Sequence, residues 1–279
     1  MPLAWITGAG GLIGSYLERT APARWRARPL TRQILDLTDK TALEQLFRKD
    51  QPALVLHCAA LSKSVACEKD PPLARELNVE VTQRLAALAA DIPFFFFSTD
   101  LVFDGKRGNY DEQATVNPLC VYGHTKAEAE KIVLRNSRHT VIRTSLNAGL
   151  SPTRDRAFNE EMHAAWEAGR KLNLFVNEFR NPIPAIVTAR AVWELVDKSA
   201  TGLFHLAGAE RLSRVDIGHA LAARWPHLTA RINAGSLKDY AGPPRSPDTS
   251  LKCAKAQALL PFPLPHFTQW LRENPDEPI

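Results

Sequence analysis

The chain has 279 residues, 45% of them hydrophobic, with a formal net charge of +5, which excludes a disordered chain and allows one α/β domain with or without a smaller lobe. It contains no apolar run of the ~18 residues that a membrane span needs, and the amino-terminal segment has no cleavable leader pattern. The four cysteines form no CxxC pair and no arginine-rich run is interleaved with aromatics, so we expect a cytoplasmic protein without a metal site, a membrane contact or a nucleic-acid partner.

Short apolar segments alternate with longer amphipathic ones along the first two thirds of the chain. The pattern predicts strands at 3–7, 53–58, 94–98, 140–144 and 202–207 and helices at 39–49, 73–90, 118–134, 185–198 and 213–225. Strands that are apolar on both faces and separated by helices form a parallel sheet covered on each side. We therefore predict an α/β fold with a doubly wound parallel sheet.

Prolines break this pattern after about residue 145. We therefore expect a dinucleotide-binding core over residues 1–145, rejoined by about 183–207. Residues 146–182 and 208–279 are expected to form a small substrate-binding lobe.

Three glycines, Gly8, Gly11 and Gly14, follow the first strand directly and open a helix. This placement suits a tight turn, close approach of the backbone to a pyrophosphate, and exposed amides at a helix N-terminus. The sequence therefore predicts a dinucleotide site here. A glycine-rich turn without a ligand is the alternative.

The residues about 20 positions after the glycine turn bear on the choice of cofactor. Dinucleotide folds place an acid about 20 residues after the glycines for a ribose hydroxyl, or an arginine where a 2′-phosphate is accommodated. This chain has Thr31 and Arg32 there, and no acid. We predict that NADP(H) is preferred through these two residues. Use of NAD(H), with Arg32 an ordinary surface residue, stays open.

Two further segments carry groups suited to catalysis. Tyr122 and Lys126 are four residues apart on a predicted helix, hence on one face, and a nearby cation favours the phenolate form of a tyrosine. Ser98 and Thr99 lie at the carboxyl end of the predicted strand 94–98, at the sheet edge where ligands of doubly wound folds bind. A hydroxyl there could hydrogen-bond a reacting carbonyl, although a cap or turn cluster is the simpler reading.

With these motifs the chain resembles the extended short-chain dehydrogenase/reductases, and among them the dTDP-4-dehydrorhamnose reductase family of sugar-nucleotide reductases. The resemblance covers about the first 150 residues in order and spacing. The matching segments are 7–14, 34–39, 57–60, 78–79, 98–105, 121–126 and 141–145.

The resemblance implies a role for many residues. Thr99, Tyr122 and Lys126 would be catalytic, with hydride passing to the C4 keto group of a nucleotide-linked deoxysugar while Tyr122 delivers the proton. Val102 and Phe103 would border the substrate pocket. The cofactor would contact Gly8, Gly11, Leu12, Ile13, Gly14, Asp36, Leu37, Ala59, Ala60, Leu61, Asn78 and Ser98, together with Tyr122 and Lys126.

The chain departs from the family after residue 145, with Leu146-Asn147 where an aromatic pair is usual and a different sequence at 177–183. The identity of the sugar is therefore open. Arg180 and Arg245 are candidates for binding a substrate diphosphate, or are ordinary surface arginines. A homodimer, a non-catalytic NADP-binding regulatory subunit and a sugar-nucleotide epimerase are alternatives that the sequence leaves open.

Overall fold

The computed structural model describes all of residues 1–279, and twelve strands and eleven α-helices make up its regular structure. The strands are β1 Leu3–Thr7, β2 Arg26–Leu30, β3 Leu54–His57, β4 Phe94–Thr99, β5 Thr140–Thr144, β6 Asn147–Ala148, β7 Leu172–Phe175, β8 Phe179–Arg180, β9 Ile183–Pro184, β10 Gly202–Leu206, β11 Leu212–Ser213 and β12 Ile232–Gly235. The helices are α1 Leu12–Arg19, α2 Lys40–Asp50, α3 Ser64–Lys69, α4 Pro71–Arg75, α5 Val81–Leu88, α6 Val121–Val133, α7 Phe158–Glu167, α8 Ala185–Asp197, α9 Arg214–Arg224, α10 Ala254–Gln257 and α11 Phe267–Glu273. A π-helical turn, Glu76–Glu80, joins α4 to α5, and 3-10 turns occupy Asp100–Val102 and Leu237–Asp239.

Six strands form one parallel sheet in the order β10, β5, β4, β3, β1, β2. The chain runs outward from β1 to β2, then crosses back to β3 and continues in the other direction. The carboxyl ends of β1 and β3 therefore flank the switch point, where ligands of such sheets bind. The predicted doubly wound α/β fold is confirmed.

Strand β2 was not predicted, because its sequence contains Pro29 and two arginines and has no apolar run. It lies at the edge of the sheet and pairs only with β1, where a proline that cannot donate to a ladder is tolerated. The predicted helix at 73–90 is present but is interrupted by the π-helical turn, which rotates the residues that follow it.

The two faces of the sheet pack against different helices, as the alternation of β4 illustrates. Phe95 and Phe97 belong to the larger core cluster, which includes residues of α1 and α8. Phe94 and Phe96 belong to a second cluster with residues of α5 and α6. Ser98 continues the second row, so its side chain is directed to α6.

Residues after 145 add three two-stranded pairs, β6 with β9, β7 with β12 and β8 with β11. A third apolar cluster lies among α7, α9 and α11. The segment at 245–251 packs against the loop that follows β4, where the Asp248 amide donates to the Gly105 carbonyl at 3.0 Å and Tyr110 forms a β-bridge with Leu251. None of the helices combines the length and the apolar character needed to cross a membrane.

Candidate active site

The glycine turn after β1 forms a cradle that side chains would fill. Gly8 has a φ of 68°, and a Cβ on Gly14 would lie 2.5 Å from the Gly8 carbonyl oxygen. Gly11 caps α1 without a side-chain hydrogen bond, and the first turn of α1 holds no acidic residue. Free amides at a helix N-terminus beside bare backbone suit a pyrophosphate, so these residues fit a dinucleotide cofactor.

The loop after β3 touches this turn. A Cβ on Gly8 would lie 2.6 Å from the Ala59 amide nitrogen, so the two loops pack backbone to backbone at the switch point. Ala59 and Leu61 are partly buried, and Ala60 is exposed. The structure thus brings these three predicted cofactor residues beside the glycine cradle.

The side chain of Asn78 hydrogen-bonds the loop after β3. Its side-chain oxygen accepts from the Leu61 amide at 2.8 Å, and its nitrogen donates to the Leu61 carbonyl at 3.1 Å and to Thr125 Oγ1 at 3.0 Å. Asn78 has no exposed surface, and the π-helical turn that carries it directs its side chain inward. It ties the β3 loop to α6 and presents no free group to a ligand.

The residues predicted to select the cofactor follow β2 at the same edge of the sheet. The Thr31 methyl group lies 3.7 Å from where a Cβ on Gly10 would stand, and Arg32 is exposed. The exposed Asp36 accepts from the amide and hydroxyl of Thr38, and these bonds, with the charge of Arg32, lower the pKa of its carboxyl. Leu37 is partly buried against the α5 and α6 side of the core.

Thr99, Tyr122 and Lys126 come together at the carboxyl end of β4. Thr99 ends the strand, and its side chain is near the Tyr122 phenol. Lys126 lies one turn further along α6, with Nζ 3.9 Å from the centroid of the Phe96 ring. The predicted catalytic residues are therefore neighbours across the switch point from the glycine cradle.

Burial controls the ionisation of this set. It raises the pKa of the Tyr122 phenol, and the negative charge of Asp100 acts in the same direction. Burial also lowers the pKa of Lys126 to about 7, against the opposing influence of Glu130. Near neutral pH, Tyr122 is therefore a protonated donor beside a lysine whose charge is sensitive to its surroundings.

Ser98 and Asp100 flank Thr99 but turn into the protein. Ser98 Oγ donates to Glu130 Oε1 at 2.5 Å, so its hydroxyl is not free for a cofactor. The buried Asp100 carboxylate lies 3.6 Å from Arg180 Nε. It also accepts from the hydroxyls of Thr99, Ser145 and Thr249. Both side chains are therefore held by partners within the protein.

Val102 and Phe103, predicted to border the substrate, are fully buried. Phe103 stacks on Tyr110 with ring centroids 4.1 Å apart and planes 5° apart. Their side chains form a small core beneath the loop that follows β4, so the structure places them in the interior and not on an open wall.

Arg180 and Arg245 converge on one buried carboxylate, Glu178. Arg180 Nη2 lies 2.9 Å from Glu178 Oε1, and Arg245 donates to both carboxylate oxygens at 3.0 and 2.8 Å. Arg214 is the third arginine of this cluster; burial lowers its pKa to about 10, and its guanidinium makes no side-chain hydrogen bond. Sequence reasoning missed Glu178, Arg214 and Asp100, although the Glu-x-Arg spacing at 178–180 was a usable signal.

Comparisons with known proteins place the chain in a family. The family model described as "RmlD substrate binding domain" matches residues 4–277. The chain is 28% identical over 272 residues to methionine adenosyltransferase 2 subunit beta of Rattus norvegicus, covering 91% of this chain and 81% of that protein. It is 31% identical over 266 residues to the probable low-salt glycan biosynthesis reductase Agl14 of Haloferax volcanii, covering 88% of each.

A crystal structure of dTDP-4-dehydrorhamnose reductase from Bacillus anthracis, in complex with NADP, superposes with a TM-score of 0.90 at 20% identity and covers 98% of each chain. That likeness supports the fold, and the family model spans nearly the whole sequence. The chain therefore belongs to the RmlD-like family of extended short-chain dehydrogenase/reductases, as its motifs predicted.

Proposed function

We propose that this protein is an NADPH-dependent reductase of a keto group on a nucleotide-linked sugar, similar to the dTDP-4-dehydrorhamnose reductases. The observation that carries the proposal is the meeting of Thr99, Tyr122 and Lys126 opposite the glycine cradle. A reductase among its relatives at 31% identity, and the NADP complex of a protein with the same fold, support it.

The residues of the chain divide the proton chemistry among them. When bound, the cofactor supplies the hydride to the carbonyl carbon. Tyr122 donates its phenolic proton to the carbonyl oxygen as negative charge develops there. The Lys126 ammonium stabilises the phenolate that remains, and the neighbouring Thr99 helps to orient the reacting groups. Solvent then returns a proton to Tyr122.

We propose residues 146–182 and 208–279 as the substrate lobe, and a nucleoside diphosphate group would suit the arginine cluster that lies in it. Glu178 neutralises part of the charge of Arg180 and Arg245, whereas Arg214 keeps a guanidinium free for an anion. Because Arg180 also approaches Asp100 beside Thr99, the cluster is connected to the catalytic strand end. A diphosphate held there would leave its sugar directed to Tyr122.

The decisive experiment follows NADPH oxidation by absorbance with a panel of 4-keto and other keto sugars linked to dTDP, UDP, GDP and CDP. Turnover of at least one of them, at a rate well above that without enzyme, is the expected result. Micromolar NADPH affinity with no turnover on the full panel would refute the proposed reductase.

Arg32→Ala is expected to lower kcat/KM for NADPH by about 10- to 100-fold, because a charge-assisted contact to the 2′-phosphate would be lost. Catalytic efficiency with NADH should stay the same, since NADH lacks that phosphate. Steady-state kinetics with both cofactors measure the effect, and Arg48→Ala, which removes an exposed arginine from α2, is the control. Equal efficiency with both cofactors, unchanged in Arg32→Ala, would contradict the predicted NADPH preference.

Arg214→Ala is expected to raise KM for the nucleotide-linked sugar about 10-fold with little change in kcat, because a diphosphate contact is made equally in the ground and transition states. Inhibition by the corresponding nucleoside diphosphate should weaken in parallel. Arg190→Ala, at an exposed arginine of α8, is the matched control. An unchanged KM would place the diphosphate elsewhere.

A regulatory subunit without catalysis is the second candidate. Its support is the 28% identity to methionine adenosyltransferase 2 subunit beta across 91% of the chain. The panel above separates the two, since a regulatory subunit would bind cofactor without turnover.

A further inference from the structure

A row of buried polar side chains crosses three strands beneath α6. Ser98 on β4 is the register partner of Arg143 on β5, and Arg143 is the partner of His205 on β10. Register partners on neighbouring strands face the same side of a sheet. None of the three is more than 3% exposed, and all three lie on the side that carries Tyr122 and Lys126.

Glu130 of α6 accepts hydrogen bonds from two members of this row, Ser98 and Arg143. Arg143 donates from Nε and Nη2 to its two carboxylate oxygens at 3.0 and 2.7 Å, and Ser98 donates at 2.5 Å. The remaining Arg143 Nη1 lies 3.3 Å from His205 Nε2. Because His205 Nδ1 faces the Tyr110 carbonyl at 3.1 Å, the ring is assigned as the neutral Nδ1–H form that accepts from Arg143.

The same carboxylate stands one helical turn after Lys126. Residues four apart on a helix lie on the same face, and both are almost fully buried, at 2% and 3% exposure. Lys126 Nζ lies over the ring of Phe96, and Glu130 accepts a hydrogen bond from Ser98. Phe96 and Ser98 are consecutive residues on the same face of β4, so Lys126 and Glu130 contact neighbouring side chains of one strand. The other titratable groups facing Lys126 are His57 at the end of β3, Cys58 just after it, and Cys67 on α3.

We propose that Glu130 is a positioning residue that keeps Lys126 charged, and that Arg143 and Ser98 fix Glu130 for this purpose. The proposal rests on the proposed function, in which charged Lys126 stabilises the Tyr122 phenolate. Among the groups facing Lys126, Glu130 is the carboxylate, whereas His57 is neutral and the thiols keep their protons because burial disfavours their charged forms. Glu130 therefore supplies the negative charge that offsets burial of the ammonium.

Glu130→Gln removes this charge and leaves the buried Arg143 guanidinium without its carboxylate. Both changes disfavour a second cation nearby, so Lys126 should release its proton at a pH at least about one unit lower than in the wild type. Reduction should then lose activity on the alkaline side at correspondingly lower pH. Glu128→Gln is the matched control, because Glu128 is on the solvent-facing side of α6 and pairs with Arg75.

Two readouts test this. The first is the titration midpoint of the Lys126 ¹³Cε signal in lysine-labelled protein without cofactor, assigned by its absence in Lys126→Met and expected near 7 in the wild type. The second is the pH profile of kcat/KM. A lower midpoint in Glu130→Gln, and an unchanged one in Glu128→Gln, are expected.

The double variant Glu130→Gln/Arg143→Met separates charge from structure and stays informative if the single variant does not fold. Replacing both members of a buried ion pair is tolerated better than leaving one charge alone. The Lys126 midpoint should stay below the wild-type value in this variant as well, because the Glu130 carboxylate is still missing although no buried guanidinium is left unpaired. A midpoint equal to the wild type in Glu130→Gln or in the double variant would overturn the proposal. A shifted midpoint without turnover on any substrate would refute the proposed reductase and leave the role of Glu130 intact.

Discussion

Replacing Tyr122 with phenylalanine is expected to lower kcat/KM for keto reduction by about 10³-fold, the scale of a lost general acid. The substitution removes one oxygen and keeps the ring, so the packing of α6 against β4 should persist. Lys126 lacks a phenolate to stabilise in this variant, and Thr99 has no ionisable proton to replace the lost one. Affinity for NADPH, measured by fluorescence titration, should change by no more than about twofold.

Tyr110→Phe makes the same chemical change at a buried tyrosine whose hydroxyl donates to Asp104 at 2.7 Å, outside the cofactor cradle. Its kcat/KM should stay within about threefold of the wild type. If Tyr122→Phe kept more than a tenth of the activity, another group would have to deliver the proton, and the role given to Thr99 would fail with it.

The parts of the site that lie close together in sequence were predictable. The glycine turn has a local requirement, since a left-handed Gly8 and a Cβ-free Gly14 follow from one tight strand-to-helix connection. Tyr122 and Lys126 occupy a single helix, and their shared face follows from its period. The strands β1 and β5 have the predicted bounds, because their apolar runs end abruptly at polar residues.

The hydrogen bonds and ion pairs between charged residues far apart in the sequence were not predictable. Asp100 contacts Ser145 and Thr249, which are 45 and 149 positions away, and nothing in the local sequence distinguishes such a carboxylate from a turn residue. Arg245 and Glu178 are 67 positions apart, and the local sequence does not show that they pair. Arg180 and Arg245, predicted to lie at the surface or to bind a diphosphate, instead share the Glu178 carboxylate. Phe103 similarly depends on stacking with Tyr110, a contact set by the loop between them.

Asp100 connects the catalytic strand end to the carboxyl-terminal region. It accepts a hydrogen bond from Thr99 on one side and from Thr249 on the other, and approaches Arg180, which pairs with Glu178. Movement of the segment at 245–251 would therefore disturb the residue next to Thr99. Under the proposed function, substrate held by the arginine cluster and catalysis at Tyr122 would be linked through this one buried carboxylate.

Gly14→Ala is expected to weaken NADPH binding by about 100-fold, or about 2.8 kcal/mol. Alanine favours helices over glycine by up to ~1 kcal/mol, so helix propensity alone would make this change in α1 stabilising. Sterics decide otherwise, because the new Cβ would stand 2.5 Å from the Gly8 carbonyl oxygen and 2.8 Å from Ala9 Cα, both of them backbone atoms. The turn must open to accept it, and the amides that would hold the pyrophosphate move with the turn.

Gly10→Ala is the matched control within the same turn, four positions before Gly14. Its Cβ would meet Thr31 Cγ2 at 3.7 Å, an ordinary van der Waals contact, so NADPH affinity measured by calorimetry should stay within about threefold of the wild type. Circular dichroism should show both variants folded, since the helix itself tolerates alanine. If both variants lost affinity equally, the cofactor would contact the outer surface of the whole turn. If Gly14→Ala kept wild-type affinity, the pyrophosphate would not be bound by this cradle.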